Sequence, residues 1–332
     1  MANYKDIKGF NIQSKSSDPA NGIAGDMYYN TTTGQFKAIK TGGAPVGTWA
    51  SGSAMNTARD GVMGGGSKAA AFAAGGSGNP GPGTPRALHE QWDGSSWTET
   101  TEINTARYVG AGSSAQTSAF IFGGYQAPPG TARAYAELWN GTSWTEKDDM
   151  NTARYSLGGT GTSTASIAFG GTPGAKSETE LWNGSSWTEV NELNTAKNTM
   201  GAAGVQTSAL AAGGGPGPAT TSETWNGTSW TESTALSTGK YGMAGSGETN
   251  TNAIIVGGQT PPGPFQATTE YWDGTSWSEV ADISTARTFN MGHSTPGTST
   301  SAIVFSGNTP PVSALTEEWT AADFNIKTVT TS

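Results

Sequence analysis

Acid side chains recur along this chain at Glu137, Glu180, Glu223, Glu270 and Glu318, each close to a tryptophan. Two carboxylates converging in one pocket would be the equipment of a glycosidase. One acid in nearly every copy of a repeat points instead to a structural part in a hairpin. Basic residues recur too, at Arg59, Arg107, Arg154 and Arg287, with Lys197 and Lys240 in the equivalent places. A ring of these around a channel would bind an anion. The alternative is that each bonds turn carbonyls or the acid of a neighbouring repeat. His89 and His293 are the two histidines, and neither has a partner at metal-ligand spacing. Surface or turn positions are expected for both. With no Cys, thiolate chemistry and disulfides are excluded. The paired glycines form no phosphate loop, because no Gly-Lys-Ser/Thr follows them. No catalytic residue, metal site or cofactor is therefore expected.

Composition narrows the class further. Of the 332 residues, 13% are charged and 34% hydrophobic, the net charge is −9, and 49 are Gly. Lys and Arg stand singly, so no nucleic-acid surface is expected. No apolar run approaches the roughly 18 residues of a membrane span. The start, MANYKDIKGF, has no apolar core after its charges, so a Sec signal peptide is not expected. Low charge and abundant Gly are compatible with disorder, but 12 Trp argue for a packed interior.

The elements that must carry these residues follow from an internal repeat. Trp-Asn/Asp-Gly-Ser/Thr-Ser-Trp occurs at Trp92–Trp97, Trp139–Trp144, Trp182–Trp187, Trp225–Trp230 and Trp272–Trp277, with a degenerate copy from Trp319 to Phe324 and a lone Trp49 ahead of the first. A second phrase, Asn-Thr-Ala-Arg or a close variant, starts at Asn56, Asn104, Asn151, Asn194, Ser237 and Ser284, spaced by 43 to 48 residues. A third is a short apolar run closed by glycines at Gly76, Gly124, Gly171, Gly214, Gly258 and Gly307. Each unit reads as four strands: one after the Arg phrase (Tyr108–Ser113, for example), the apolar run, and one for each Trp. Asn-Gly and Asp-Gly suit a two-residue hairpin turn. That turn would set Trp139 opposite Thr142 and Glu137 opposite Trp144. Four strands per 43 to 48 residues is the period of a β-propeller. The fold expected is all-β, with six four-stranded blades. Seven second-Trp positions exist if Trp49 and Phe324 both count, so seven blades are the alternative. Trp49 is expected to complete the last blade, and the run from Phe324 to add at the edge.

The stretch from Glu137 to Arg154, ELWNGTSWTEKDDMNTAR, resembles the kelch motif: a double Gly after strand two, an aromatic on strand three, a Trp on strand four and a small-residue turn ending in Arg. The likeness recurs from about Trp49 to Phe324. It departs from kelch where Trp-Asn-Gly replaces the usual Tyr-Asp and longer hairpin. It implies a propeller over residues 49–332 and says nothing of kelch adaptor biology.

Residues 1–48 precede the repeat. Met27–Asn30 and Gln35–Ile39 read as a hairpin around Thr31–Gly34, too small to bury a core alone. The SDPAN run from Ser17 and the GDMYYN run ending at Asn30 are similar to N-terminal segments of tailed-phage virion proteins, marine ones in particular. That resemblance implies attachment to other virion proteins through residues 1–48, a propeller displayed as part of a tail fibre or similar appendage, and a homo-oligomer, trimers being common in fibres. Localisation on the phage particle is expected; an extracellular bacterial adhesion or carbohydrate-binding propeller is the alternative, and a glycan-active enzyme a more distant one.

Between the closing Gly and the next Trp lie Pro/Gly-rich segments whose length varies from repeat to repeat. They hold the same position in every unit and should emerge on one face, where binding residues usually sit. Tyr125, Arg133, Gln259 and Phe265 are the large side chains there, and a host-surface glycan or protein, or a neighbouring virion protein, is the expected partner; the alternative is that these loops only pack against neighbouring subunits or serve as spacers. The twelve tryptophans, Trp49, Trp92, Trp97, Trp139, Trp144, Trp182, Trp187, Trp225, Trp230, Trp272, Trp277 and Trp319, are assigned to structure.

Overall fold

The computed structural model describes residues 13–17, 26–40, 47–78, 81–217, 219–260, 262–288, 293–295, 297–321 and 325–328. Asp18 to Asn21 of the SDPAN run, Phe324 and the side chain of His293 lie outside them. The chain is all-β and consistent with a β-propeller. Antiparallel four-stranded meanders follow one another: Met63–Ser67, Ala70–Ala74, His89–Trp92 and Trp97–Thr100 form the first sheet. The second runs from Ala111 to Lys147, the third from Gly158 to Val190, the fourth from Gly201 to Ser233 and the fifth from Ala244 to Val280. His293–Thr295 pairs in parallel with Ala244–Thr249. A sixth sheet is built from Ser301–Phe305, Thr316–Ala321 and Gly47–Gly52, with Trp49 opposite Trp319.

Hydrophobic cores lie between sheets. The tryptophan pair of each sheet packs on the second strand of the one before it: Trp139 and Trp144 on Phe72, Trp182 and Trp187 on Phe120 and Phe122, Trp225 and Trp230 on Ile167 and Phe169. Trp272 and Trp277 meet Leu210, Trp319 and Trp49 meet Ile254 and Val256, and Trp92 and Trp97 meet Ile303 and Phe305. The first strands lie side by side in the order of the sheets, and His293–Thr295 touches Met63–Ser67. They are rich in Gly because their backbones nearly touch. A methyl group on Gly112 would strike the Gly64 backbone, and one on Gly245 the Ala202 backbone.

Three expectations need correction. The hairpin register places Trp139 directly opposite Trp144, with ring centroids 5.5 Å apart. The connection is a four-residue loop, not two, because the Asn140 side chain accepts the N–H groups of both Thr142 and Ser143 and holds the turn open. The first strand of the second sheet starts at Ala111, not Tyr108, because Val109 has a φ of 56° that no strand continues. The described part of the C-terminal run, Asn325–Thr328, pairs with Gln35–Lys40, in a sheet with Met27–Asn30 and Gln13–Lys15, and not with the sixth repeat sheet. The N-terminal hairpin itself has the expected strands.

Candidate functional site

Each Asn-Thr-Ala-Arg phrase leaves one sheet and enters the next, and its basic side chain is buried there against an acid. Arg154 Nη2 lies 3.0 Å from Glu180 Oε1, while Nη1 donates to the Gly170 and Glu178 carbonyls. Glu180 Oε2 accepts the Asn151 backbone N–H at 2.7 Å. Arg59–Glu90, Arg107–Glu137, Lys197–Glu223, Lys240–Glu270 and Arg287–Glu317 repeat the pairing. Burial pushes the pKa of Arg59 down to about 10, and those of Arg154, Lys197 and Arg287 down as well. These acids hold sheets together and are closed to substrate. The repeated acid of the last unit is Glu317, two residues before Trp319. Glu318 faces the other way, 3.5 Å from Lys68. Glu90, two residues before Trp92, holds the same place in the first unit, at the same acid-to-Trp spacing as the other copies.

His89 is a second correction at this level. It is fully buried, edge-on to Trp139 and Trp144 at 4.8 and 5.0 Å, and accepts from Trp144 Nε1 at 3.3 Å. Burial above all, with Arg59 adding to it, lowers its pKa to about 4. It stands three residues before Trp92. In the other sheets that place belongs to Ala136, Thr179, Ser222, Thr269 and Thr316. Thr179, Thr269 and Thr316 each accept an indole N–H from the following sheet: from Trp230, Trp49 and Trp97 at 2.9, 3.1 and 2.9 Å.

The same connection builds a different surface one residue later. The second closing Gly donates its N–H to the carbonyl of the next repeat's Arg or Lys, as Gly124 does to Arg154 at 2.9 Å. Its φ is positive, 116° at Gly124, which only Gly adopts freely. The residue after this Gly then bridges to the residue after its own repeat's Arg or Lys. Six such couples are described: Asp60/Ser77, Tyr108/Tyr125, Tyr155/Thr172, Asn198/Gly215, Tyr241/Gln259 and Thr288/Asn308. Their backbone bonds are the same throughout, for instance Tyr108 N–H to Tyr125 O at 3.1 Å and Tyr125 N–H to Tyr108 O at 2.7 Å. Their side chains differ in every couple. The next residue, Gly61, Val109, Ser156, Thr199 or Gly242, is left-handed each time. From Val109 onward its N–H donates to the equivalent carbonyl of the preceding repeat at 2.7 or 2.8 Å. Non-glycine residues in this region cost of order 1–3 kcal/mol each and cluster at functional sites.

Among these couples lies an opening of about 400 Å³ lined by Asp60, Tyr108, Val109, Tyr125, Tyr155, Ser156 and Thr199. The Tyr108 and Tyr125 rings meet edge to face at 5.6 Å, and Tyr125 and Tyr155 at 4.9 Å. Burial, with the neighbouring Tyr125, Asp60 and Tyr155, pushes the Tyr108 hydroxyl upward. It therefore stays protonated and able to donate. Asp60 accepts from the Ser77 hydroxyl. Among the described residues, no lysine or arginine lines the opening.

No protein-family model matches this chain, and no curated protein does.

Of the four residues singled out in the loops, Tyr125 alone lines the opening. Arg133 is held on the same loop by Gln126 Oε1 at 2.8 Å, with its guanidinium 5.4 Å from the Tyr135 ring. Gln259 couples with Tyr241, whose hydroxyl it accepts at 3.4 Å, and also bridges to half-buried Phe265. Asp60, Tyr108, Tyr155, Ser156 and Thr199 were not anticipated. The signal was available in the two positions after each Arg phrase, where three of six copies carry Tyr. Among the described residues, no three His, Asp or Glu side chains gather as a metal site would require, and no helix is long and apolar enough to cross a membrane.

Proposed function

We propose that this chain is a non-enzymatic structural protein of a tailed-phage particle. The N-terminal segment attaches it to other virion proteins, and the repeat sheets from Gly47 to Ala321 form a six-bladed kelch-like propeller whose loop face meets a host-surface glycan or protein, or a neighbouring virion protein. Six inter-sheet cores, the last between Trp92, Trp97 and Phe305, support six blades in a ring that Gly47–Gly52 closes. The observation that carries the binding role is the set of six couples: one backbone arrangement, six different side-chain pairs. A framework repeated for stability alone has no reason to carry a different exposed pair at each of these six equivalent positions. The repeated ionic groups are buried in pairs, which favours binding over catalysis. The N-terminal segment supports the virion placement through its likeness to phage proteins. A tail fibre or similar appendage, with a homo-oligomer such as a trimer, fits this reading.

Cryo-electron microscopy of the source particle tests it. The expected map has residues 1–48 seated on a head or tail protein and the couples facing outward. A free monomer with that segment against its own repeat sheets would overturn the virion assignment.

A further inference from the structure

We infer that the opening beside Tyr125 is a binding site for uncharged sugars and that it discriminates against acidic ones. The inference rests on the receptor-binding role proposed above and names the ligand class. Tyr108, Tyr125 and Tyr155 follow one another edge to face, and all three are partly exposed. Such a row offers ring faces whose negative quadrupole attracts polarised C–H groups. A pyranose presents those C–H groups on one face and hydroxyls around its edge. Beside the rings stand the tyrosine hydroxyls and that of Ser156, able to donate or accept, and the Thr199 hydroxyl, which donates to the Asn198 carbonyl at 2.7 Å and is left to accept. The volume, about 400 Å³, falls within the roughly 300–1,000 Å³ of small-molecule sites.

Charge sets the selectivity. Asp60 lines the opening, and the cations of the neighbouring Arg phrases are buried against Glu90, Glu137, Glu180 and Glu223. A uronate, sialate or phosphorylated sugar would lose its hydration beside a carboxylate with no cation among the described lining residues. An ammonium ligand would draw on Asp60 and the rings. Asp60, however, is 7% exposed and already takes the Ser77 hydroxyl, so it supplies sign more than contact.

The test uses the purified full chain on an array of neutral hexose and N-acetylhexosamine oligosaccharides, their uronic, sialylated and phosphorylated counterparts, and choline. Hits are then titrated by calorimetry. Neutral glycans are expected to bind, with acidic counterparts at least tenfold weaker. Tyr125→Ala and Tyr155→Ala should each weaken binding at least tenfold with the melting temperature held within a few degrees. Tyr125→Phe, which keeps the ring, should retain most of the affinity and guards against misfolding of the alanine variants. Asp60→Asn should keep neutral binding and narrow the penalty against acidic sugars. Preference for acidic glycans, binding of choline alone, or neutral binding that ignores Tyr125 and Tyr155 would overturn this site while leaving the receptor role intact. Binding of no glycan would overturn the site and shift the loop face to a protein partner, a result independent of where the particle map places residues 1–48.

Discussion

Trp187 Nε1 is buried without a hydrogen-bond partner, while Trp230 in the next sheet donates to Thr179. The difference is one side chain: where Thr179 offers a hydroxyl, the second sheet has Ala136. Ala136→Thr should therefore supply the missing acceptor and raise stability by about 1 kcal/mol, the usual net worth of such a bond. Urea unfolding of the variant beside the parent measures it. His89 occupies the same place in the first sheet and makes stability depend on pH. Its folded pKa, about 4, lies below the ordinary 6.5, so between those values the unfolded chain binds the extra proton. The contribution is fully present above pH 6.5 and is lost as pH falls through 4, about 3 kcal/mol in all. His89→Thr should flatten the difference in unfolding midpoint between pH 7 and pH 4.5. At this scale the tryptophans were readable because a recurring indole has few uses other than burial. His89 was not, because its partners Trp139 and Trp144 come from another repeat, and the couples were not, because the bonds they share in every repeat are backbone bonds that no residue type announces.

The strand-to-strand connections carry the inter-sheet chemistry. Glu180 is 1% exposed and Arg154 wholly buried, so removing one charge strands the other. Glu180→Ala should cost about 3–5 kcal/mol, whereas Arg154→Met with Glu180→Leu should recover most of the loss. Thermal melts of the single and double variants decide it, and an equal loss in both would argue that the Arg154 bonds to carbonyls matter more than the ion pair. The sequence left two uses open for these basic residues, an anion ring or bonds to carbonyls and a neighbouring acid. Spacing along the chain cannot choose between them, since the choice depends on whether the guanidinium points along the inter-sheet seam or away from it. Strand order was legible from the three recurring phrases. The hairpin register was not, because Asn-Gly signals a turn without fixing its length; the Asn140 side chain does that.

For the molecule as a whole, Gly47–Gly52 is the piece whose loss should be felt furthest. Removing residues 1–46 leaves this strand opposite Thr316–Ala321 and should change the melting temperature little. Removing residues 1–54 uncovers one side of Trp319 and takes away Trp49, which sits 5.4 Å from it, for a cost of about 3–5 kcal/mol. Differential scanning calorimetry of the two truncations separates these outcomes. The pairing also has a consequence in time. During synthesis the Trp49 strand emerges some 270 residues ahead of its partner around Trp319. Five sheets can assemble on the ribosome while one edge strand waits unpaired, exposed to the same contacts in neighbouring nascent chains. Closing that sheet should then be a slow step, set by joining residues some 270 positions apart.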